Sequence, residues 1–113
     1  MKPRSILVIE DYPDLRDTII EVLSQNDCVC ESAGSAEAIA KLAAKRYGTI
    51  LLAPRLAIQG DPVLHYLMEN QPAELEHVVV MQNPVRDDDE SPDERCHVLM
   101  KPFSRAELLA AVS

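Results

Sequence analysis

Five short apolar runs punctuate this chain, and their spacing constrains its fold more than any other feature. "SILVIE" (5–10), "CVCES" (28–32), the stretch 49–53, "HVVVMQN" (77–83) and "CHVLM" (96–100) each have the length and residue types of a buried strand. Helical patterns separate most of them. Pro13 opens a helix over 13–25, where a first-turn residue loses nothing by lacking an N–H. Leu15, Ile19, Val22 and Leu23 give that helix one apolar stripe. "SAEAIAKLAAKR" (35–46) is a second helix, with Ile39, Leu42 and Ala43 as its inner face. A third, over 61–70, carries Val63, Leu64, Leu67 and Met68, with Asp61 as its N-cap. Ser104 begins the last helix in a capping box with Glu107, and Phe103 and Leu108 are spaced as its hydrophobic staple.

Apolar strands alternating with helices imply an α/β domain whose parallel sheet is covered on both faces, because parallel neighbours need crossover connections. One segment breaks the rhythm. "NPVRDDDESPDER" (83–95) stands where a fourth helix belongs, yet it has two prolines, six carboxylates and almost no apolar stripe. Pro92 would block helix continuation. The expectation is a fourth helix shortened or replaced by an acidic loop.

Composition narrows the function classes. The chain has 113 residues, enough for one core, and a formal net charge of −8. Such acidity repels phosphate backbones and anionic lipid, which argues against direct nucleic-acid binding. No apolar run approaches the ~18–20 residues of a membrane span. The amino terminus has no signal-peptide core, since acidic residues arrive after four apolar ones. A cytoplasmic location is expected. Three cysteines without framework spacing suit a reducing compartment. Cys28 and Cys30 flank Val29 at strand spacing and would share a face. Their simplest role is as small buried hydrophobes, because no histidine or further cysteine stands near them in sequence. His65, His77 and His97 share no ligand spacing and are read as surface or satisfied histidines.

"ILVIEDYPDLRDTI", "TILLAPRLAIQG", "VVVMQNP" and "HVLMKPFSRAELLAAV" fall in the order and spacing of response-regulator receiver domains, and the chain resembles that family along nearly its whole length. The resemblance implies a flavodoxin-like doubly wound sheet in order 2-1-3-4-5. It also implies a place in two-component signalling, where a histidine kinase transfers a phosphoryl group to an aspartate ending the third strand. In that family an acidic pair binds Mg²⁺, which neutralises the phosphoryl oxygens, and a lysine helps to hold them. Carried over by position, Glu10 and Asp11 match the acidic pair and Lys101 the lysine. Ala53 falls on the acceptor position, and its methyl group has no oxygen to phosphorylate. Gln82 replaces the small hydroxyl residue, and Val98 replaces the switch aromatic on the fifth strand.

The pattern resembles a pseudo-receiver, a degenerate receiver that has lost its phosphoryl chemistry. The expected function is a phosphorylation-independent signalling module, not an enzyme, that acts by protein–protein interaction. The alternative is a working phosphoacceptor whose aspartate was replaced at position 53; a single change leaves Gln82, Val98 and the proline-broken segment unexplained. A flavodoxin-like enzyme or nucleotide binder is disfavoured, because the chain has three glycines and no glycine-rich phosphate loop. Glu10 and Asp11 retain a weak capacity for Mg²⁺, but a third carboxylate is missing and Mg²⁺ gives up water reluctantly. An internal ion pair with Lys101 is the expected arrangement, and no cofactor is expected. Asp87, Asp88, Asp89 and Glu90 are the candidate docking loop, suited to a protein partner with a basic surface. Neither nucleic acid nor membrane is an expected partner, and a dimer is compatible with the resemblance. Residues 1–113 are read as one receiver-like domain. Its short last helix leaves room for a longer protein of which this is the amino-terminal part.

Overall fold

The computed structural model describes residues 4–54, 61–82 and 95–112. Along them run β1 (Arg4–Ile9), α1 (Pro13–Ser24), β2 (Cys28–Ala33), α2 (Ser35–Ala44), β3 (Thr49–Leu52) and α3 (Pro62–Asn70). A 3-10 turn (Pro72–His77), β4 (Val78–Gln82), β5 (His97–Met100) and α4 (Arg105–Val112) follow. The strands form one sheet in the order β2-β1-β3-β4-β5, and every neighbouring pair is parallel. This is the five-stranded, flavodoxin-like order expected above.

Alternation along each strand divides the core in two. Leu7, Ile9, Ile50, Leu52, Val78 and Val80 face Ala38 and Leu42 of α2 and Val63, Leu64 and Leu67 of α3. Ile6, Val8, Leu51, Val79, Met81 and Leu99 face Ile19 and Leu23 of α1 and Leu108 and Val112 of α4. The central strands β1, β3 and β4 are buried on both faces, which is why they read as unbroken apolar runs.

Local chemistry sets the helix ends. The Asp61 carboxylate accepts from the N–H groups of Val63 (2.9 Å) and Leu64 (3.1 Å), capping α3 as expected. The capping box of α4 is present in both directions: Glu107 N–H donates to Ser104 Oγ, and Ser104 N–H donates to Glu107 Oε1, each at 3.1 Å. Phe103 and Leu108 pack into the same cluster. After α1 the chain turns through Asp27, whose φ of 62° is left-handed, a region that aspartate enters more readily than most residues.

Several expectations need correction. On α2, Ala38 is buried and Ala43 exposed, so the inner face is rotated by one position from the face expected. On α3, Met68 is half exposed rather than in the core. Leu75 of the 3-10 turn is fully buried, a core residue that the sequence pattern missed. Cys28 and Cys30 do point to one face, but both are only half-buried. His65, His77 and His97 are all exposed. Residues 83–94, where a shortened fourth helix or an acidic loop is expected, and with them Asp87, Asp88, Asp89 and Glu90, lie outside the described residues. Among the described residues no helix is long and apolar enough to cross a membrane.

Candidate functional site

The carboxyl ends of parallel strands all lie on one edge of a sheet, and in doubly wound folds that edge holds the chemistry. Here β1 ends in Glu10 and Asp11, β3 in Ala53, β4 in Gln82 and β5 in Lys101. Backbone hydrogen bonds tie these ends together. Ala53 N–H donates to Ile9 O at 2.9 Å, and Lys101 N–H donates to Gln82 O at 2.7 Å. The Lys101–Pro102 peptide is cis.

Lys101 and Glu10 form the centre of this edge. Lys101 Nζ lies 3.2 Å from Glu10 Oε2, and the Tyr12 N–H donates to Glu10 Oε1 at 3.1 Å. The glutamate side chain is 7 % exposed and the lysine side chain 21 %. Because β3 and β4 separate β5 from β1, the pair spans three inter-strand intervals, about 14 Å at strand spacing. That is near the combined reach of an extended lysine and an extended glutamate. The line between them crosses the end of β3, where Ala53 is buried and presents a methyl group.

Asp11 is exposed, and its Oδ1 rests against the turn before α2, where a Cβ on Gly34 would lie 3.4 Å away. Asp61 sits within electrostatic range of it. Burial pushes the Asp61 carboxyl above its ordinary value; the two N–H bonds that it accepts and the nearby His65 oppose the rise, and the Asp11 carboxylate adds to it. The capping role of Asp61 was expected from the sequence. Its coupling to the acidic pair had no sequence signal, because it depends on where α3 begins in space. Tyr12, 65 % exposed at the rim beside Glu10, was likewise not singled out.

The structure thus brings Glu10, Lys101, Ala53 and the Gln82 backbone together, with Asp11 at the margin. Val98 is not part of this cluster. It lies beside Val80 within β5, 45 % exposed.

The resemblance implies Mg²⁺, and the residues present do not fit it. Mg²⁺ demands near-octahedral oxygen ligands. One Glu10 oxygen is taken by an ammonium and the other by a backbone N–H. Ala53 supplies no side-chain oxygen. Among the described residues no group of three or more His, Cys, Asp or Glu is placed to hold a metal ion.

No protein-family model matches the chain, and no curated protein matches it in sequence. Solved structures do match in shape. NtrX from Brucella abortus superimposes with a TM-score of 0.71 at 22 % identity, over 96 % of this chain and 25 % of NtrX. This chain therefore spans about a quarter of that protein. A response regulator receiver protein from Sinorhizobium medicae gives 0.75 at 19 % identity, over 98 % of this chain and 92 % of its own. The receiver domain of a sensor histidine kinase from Pseudomonas aeruginosa gives 0.78 at 19 % identity, over 97 % and 94 %. That domain was solved with a magnesium ion coordinated in its active-site cleft. By topology and by these likenesses, the chain has the fold of response-regulator receiver domains.

Proposed function

We propose that this chain is a pseudo-receiver, a signalling module that works without phosphorylation and acts by binding a protein partner. The observation that carries the reading is Ala53. A receiver's chemistry needs a carboxylate nucleophile at the end of β3, and here that end offers a buried methyl group. The surrounding charges fit the same reading. Lys101, in the place of the lysine that would hold a phosphoryl group, is engaged by Glu10 at 3.2 Å. Two charges that elsewhere would serve a ligand satisfy one another and keep the edge in one arrangement. Removing either alone would leave a charge facing a mostly buried space, which explains why both are present in a chain without an acceptor.

Protein docking is the function left to such a domain. The net charge of −8 and the acidic run containing Asp87, Asp88, Asp89 and Glu90 favour a partner with a basic surface. The chemistry is tested by incubating the protein with a small-molecule phosphodonor and Mg²⁺ and reading the intact mass. No adduct is expected. A mass increase of one phosphoryl group, mapped to Asp11, Asp61 or any other carboxylate at this edge, would overturn the reading. Docking is tested by neutralising Asp87, Asp88, Asp89 and Glu90 to Asn and Gln. Partner capture should fall, and salt should weaken the parent's capture more than the variant's. Equal capture by a folded variant would remove the acidic run from the function.

A further inference from the structure

Cys28 and Cys30 lie on β2, away from the edge described above. Two residues apart on one strand, their side chains leave the same face, and both pack on the core cluster shared with α1 and α4. Neither is fully buried, because β2 is an outer strand of the sheet. The thiols therefore have protein on one side and a route to solvent on the other. The Cys28 thiol contacts the Asn26 carbonyl oxygen at 3.6 Å. Burial pushes both thiols above their ordinary values, and the neighbouring Cys28 pushes Cys30 further.

This spacing excludes one pairing and favours another. Same-face positions on a strand repeat at about 6.6 Å, whereas a disulfide needs Cβ atoms within about 4.5 Å. β2 cannot contract to meet that need, since it is held in register with β1 from Arg4↔Cys28 to Ile9↔Ala33. A metal ion between the sulfurs relaxes the requirement. At about 2.3 Å per metal–sulfur bond, a linear bridge separates the sulfurs by about 4.6 Å, which two flexible thiols at strand spacing can reach.

The surroundings also limit which ion fits. Zinc requires four ligands, and no third His, Cys, Asp or Glu joins this pair among the described residues. Soft thiolate donors select soft ions. Two thiolates around a monovalent ion leave one negative charge, and Arg4, the register partner of Cys28, lowers the cost of charge at that sulfur.

We propose that Cys28 and Cys30 form a two-coordinate dithiolate site for a soft monovalent metal ion of the copper(I) class. On binding, each thiol releases its proton and each sulfur forms one bond to the metal; no electron is transferred. The test uses the full chain, reduced and anaerobic, titrated with copper(I) against a competing chelator and read by native mass spectrometry. One ion per chain is expected, with the loss of two protons. Cys28→Ser and Cys30→Ser should each abolish uptake, and Cys96→Ser should not change it. Differential alkylation of the unmodified chain gives a second reading that does not depend on a variant folding. Copper(I) should protect Cys28 and Cys30 from a maleimide and leave the reaction of Cys96 unchanged. The proposal fails if the parent takes up no copper(I), if uptake survives either Cys28→Ser or Cys30→Ser, or if protection falls on Cys96.

Discussion

Lys101→Met tests whether the ion pair holds this edge together. Methionine keeps the apolar stem and removes the ammonium, so the change isolates charge from packing. Without it, Glu10 Oε2 loses its partner while the side chain stays 7 % exposed, and only the Tyr12 N–H at Oε1 remains. Removing one member of a buried pair costs about 3–5 kcal/mol when burial is complete. A charged hydrogen bond is worth about 1.5–3 kcal/mol. The lysine side chain is 21 % exposed, so water can partly replace it, which places the expected loss near the lower range, about 2 kcal/mol. For a domain of this size each kcal/mol shifts Tm by about 4 °C, so the variant should melt about 8 °C below the parent. Urea unfolding should give the same loss with an unchanged slope. The double variant Glu10→Gln, Lys101→Met should recover part of it, because no unpaired charge remains. A Lys101→Met protein that melts with the parent, or a double variant whose losses simply add, would refute the buried-pair argument.

Two other substitutions probe the same edge. Ala53→Asp puts a third carboxylate at a buried position beside Glu10, with one lysine to neutralise both. It should destabilise the protein by roughly 1–3 kcal/mol in chelator. Mg²⁺ should restore part of that loss and should not affect the parent; calorimetry with and without Mg²⁺ reads both effects, and a variant indifferent to Mg²⁺ would contradict the expectation. Burial raises the Asp61 pKa in the folded state, so the native protein holds that proton more tightly than the unfolded chain does. Its contribution to stability is complete below the ordinary value of 3.8 and is lost as pH rises through the higher folded-state value. Asp61→Asn keeps the cap without the proton, so the parent's stability relative to this variant should decline across that window in urea melts. A difference that is flat with pH would contradict this. Asp61→Ala should lose the cap as well, about 1–2 kcal/mol.

The strands were legible because burial on both faces demands unbroken apolar runs, and "SILVIE" or "HVVVMQN" have no other good use in a domain of this size. Helix faces were less legible. A helix rotated by one residue turns Ala43 outward and Ala38 inward, and small residues such as these carry little signal of orientation. The 3-10 turn was missed because Pro72 and Glu74 read as loop and His77 as the start of the fourth strand, while Leu75 stands alone between two glutamates. Asp61 was legible as a cap because capping is local. Its coupling to Asp11 was not, because it depends on the third dimension. The Glu10–Lys101 pair lies 91 residues apart in the chain, and no periodicity could have joined its members. Only the resemblance to receiver domains put them in one place.

The strand order has a consequence for how the chain reaches this structure. β1 pairs with β2 on one side and with β3 on the other, so the second strand is laid outward and the third must return past the first. Until β1 is in place, neither direction of growth has a template. β5, paired with β4 alone, is added last to a surface that already exists. Parallel pairing is slow, because long loops close before their contacts repay the lost entropy. The rate-limiting ensemble should therefore be organised around β1. In stopped-flow experiments Val8→Ala should chiefly slow refolding, whereas Leu99→Ala should chiefly hasten unfolding. Equal slowing of refolding by both would mean that the sheet assembles from its far side, or all at once. If β1 does lead, a chain interrupted before β3 would hold only half of its template, and its apolar first strand would stay open to pairing with another molecule.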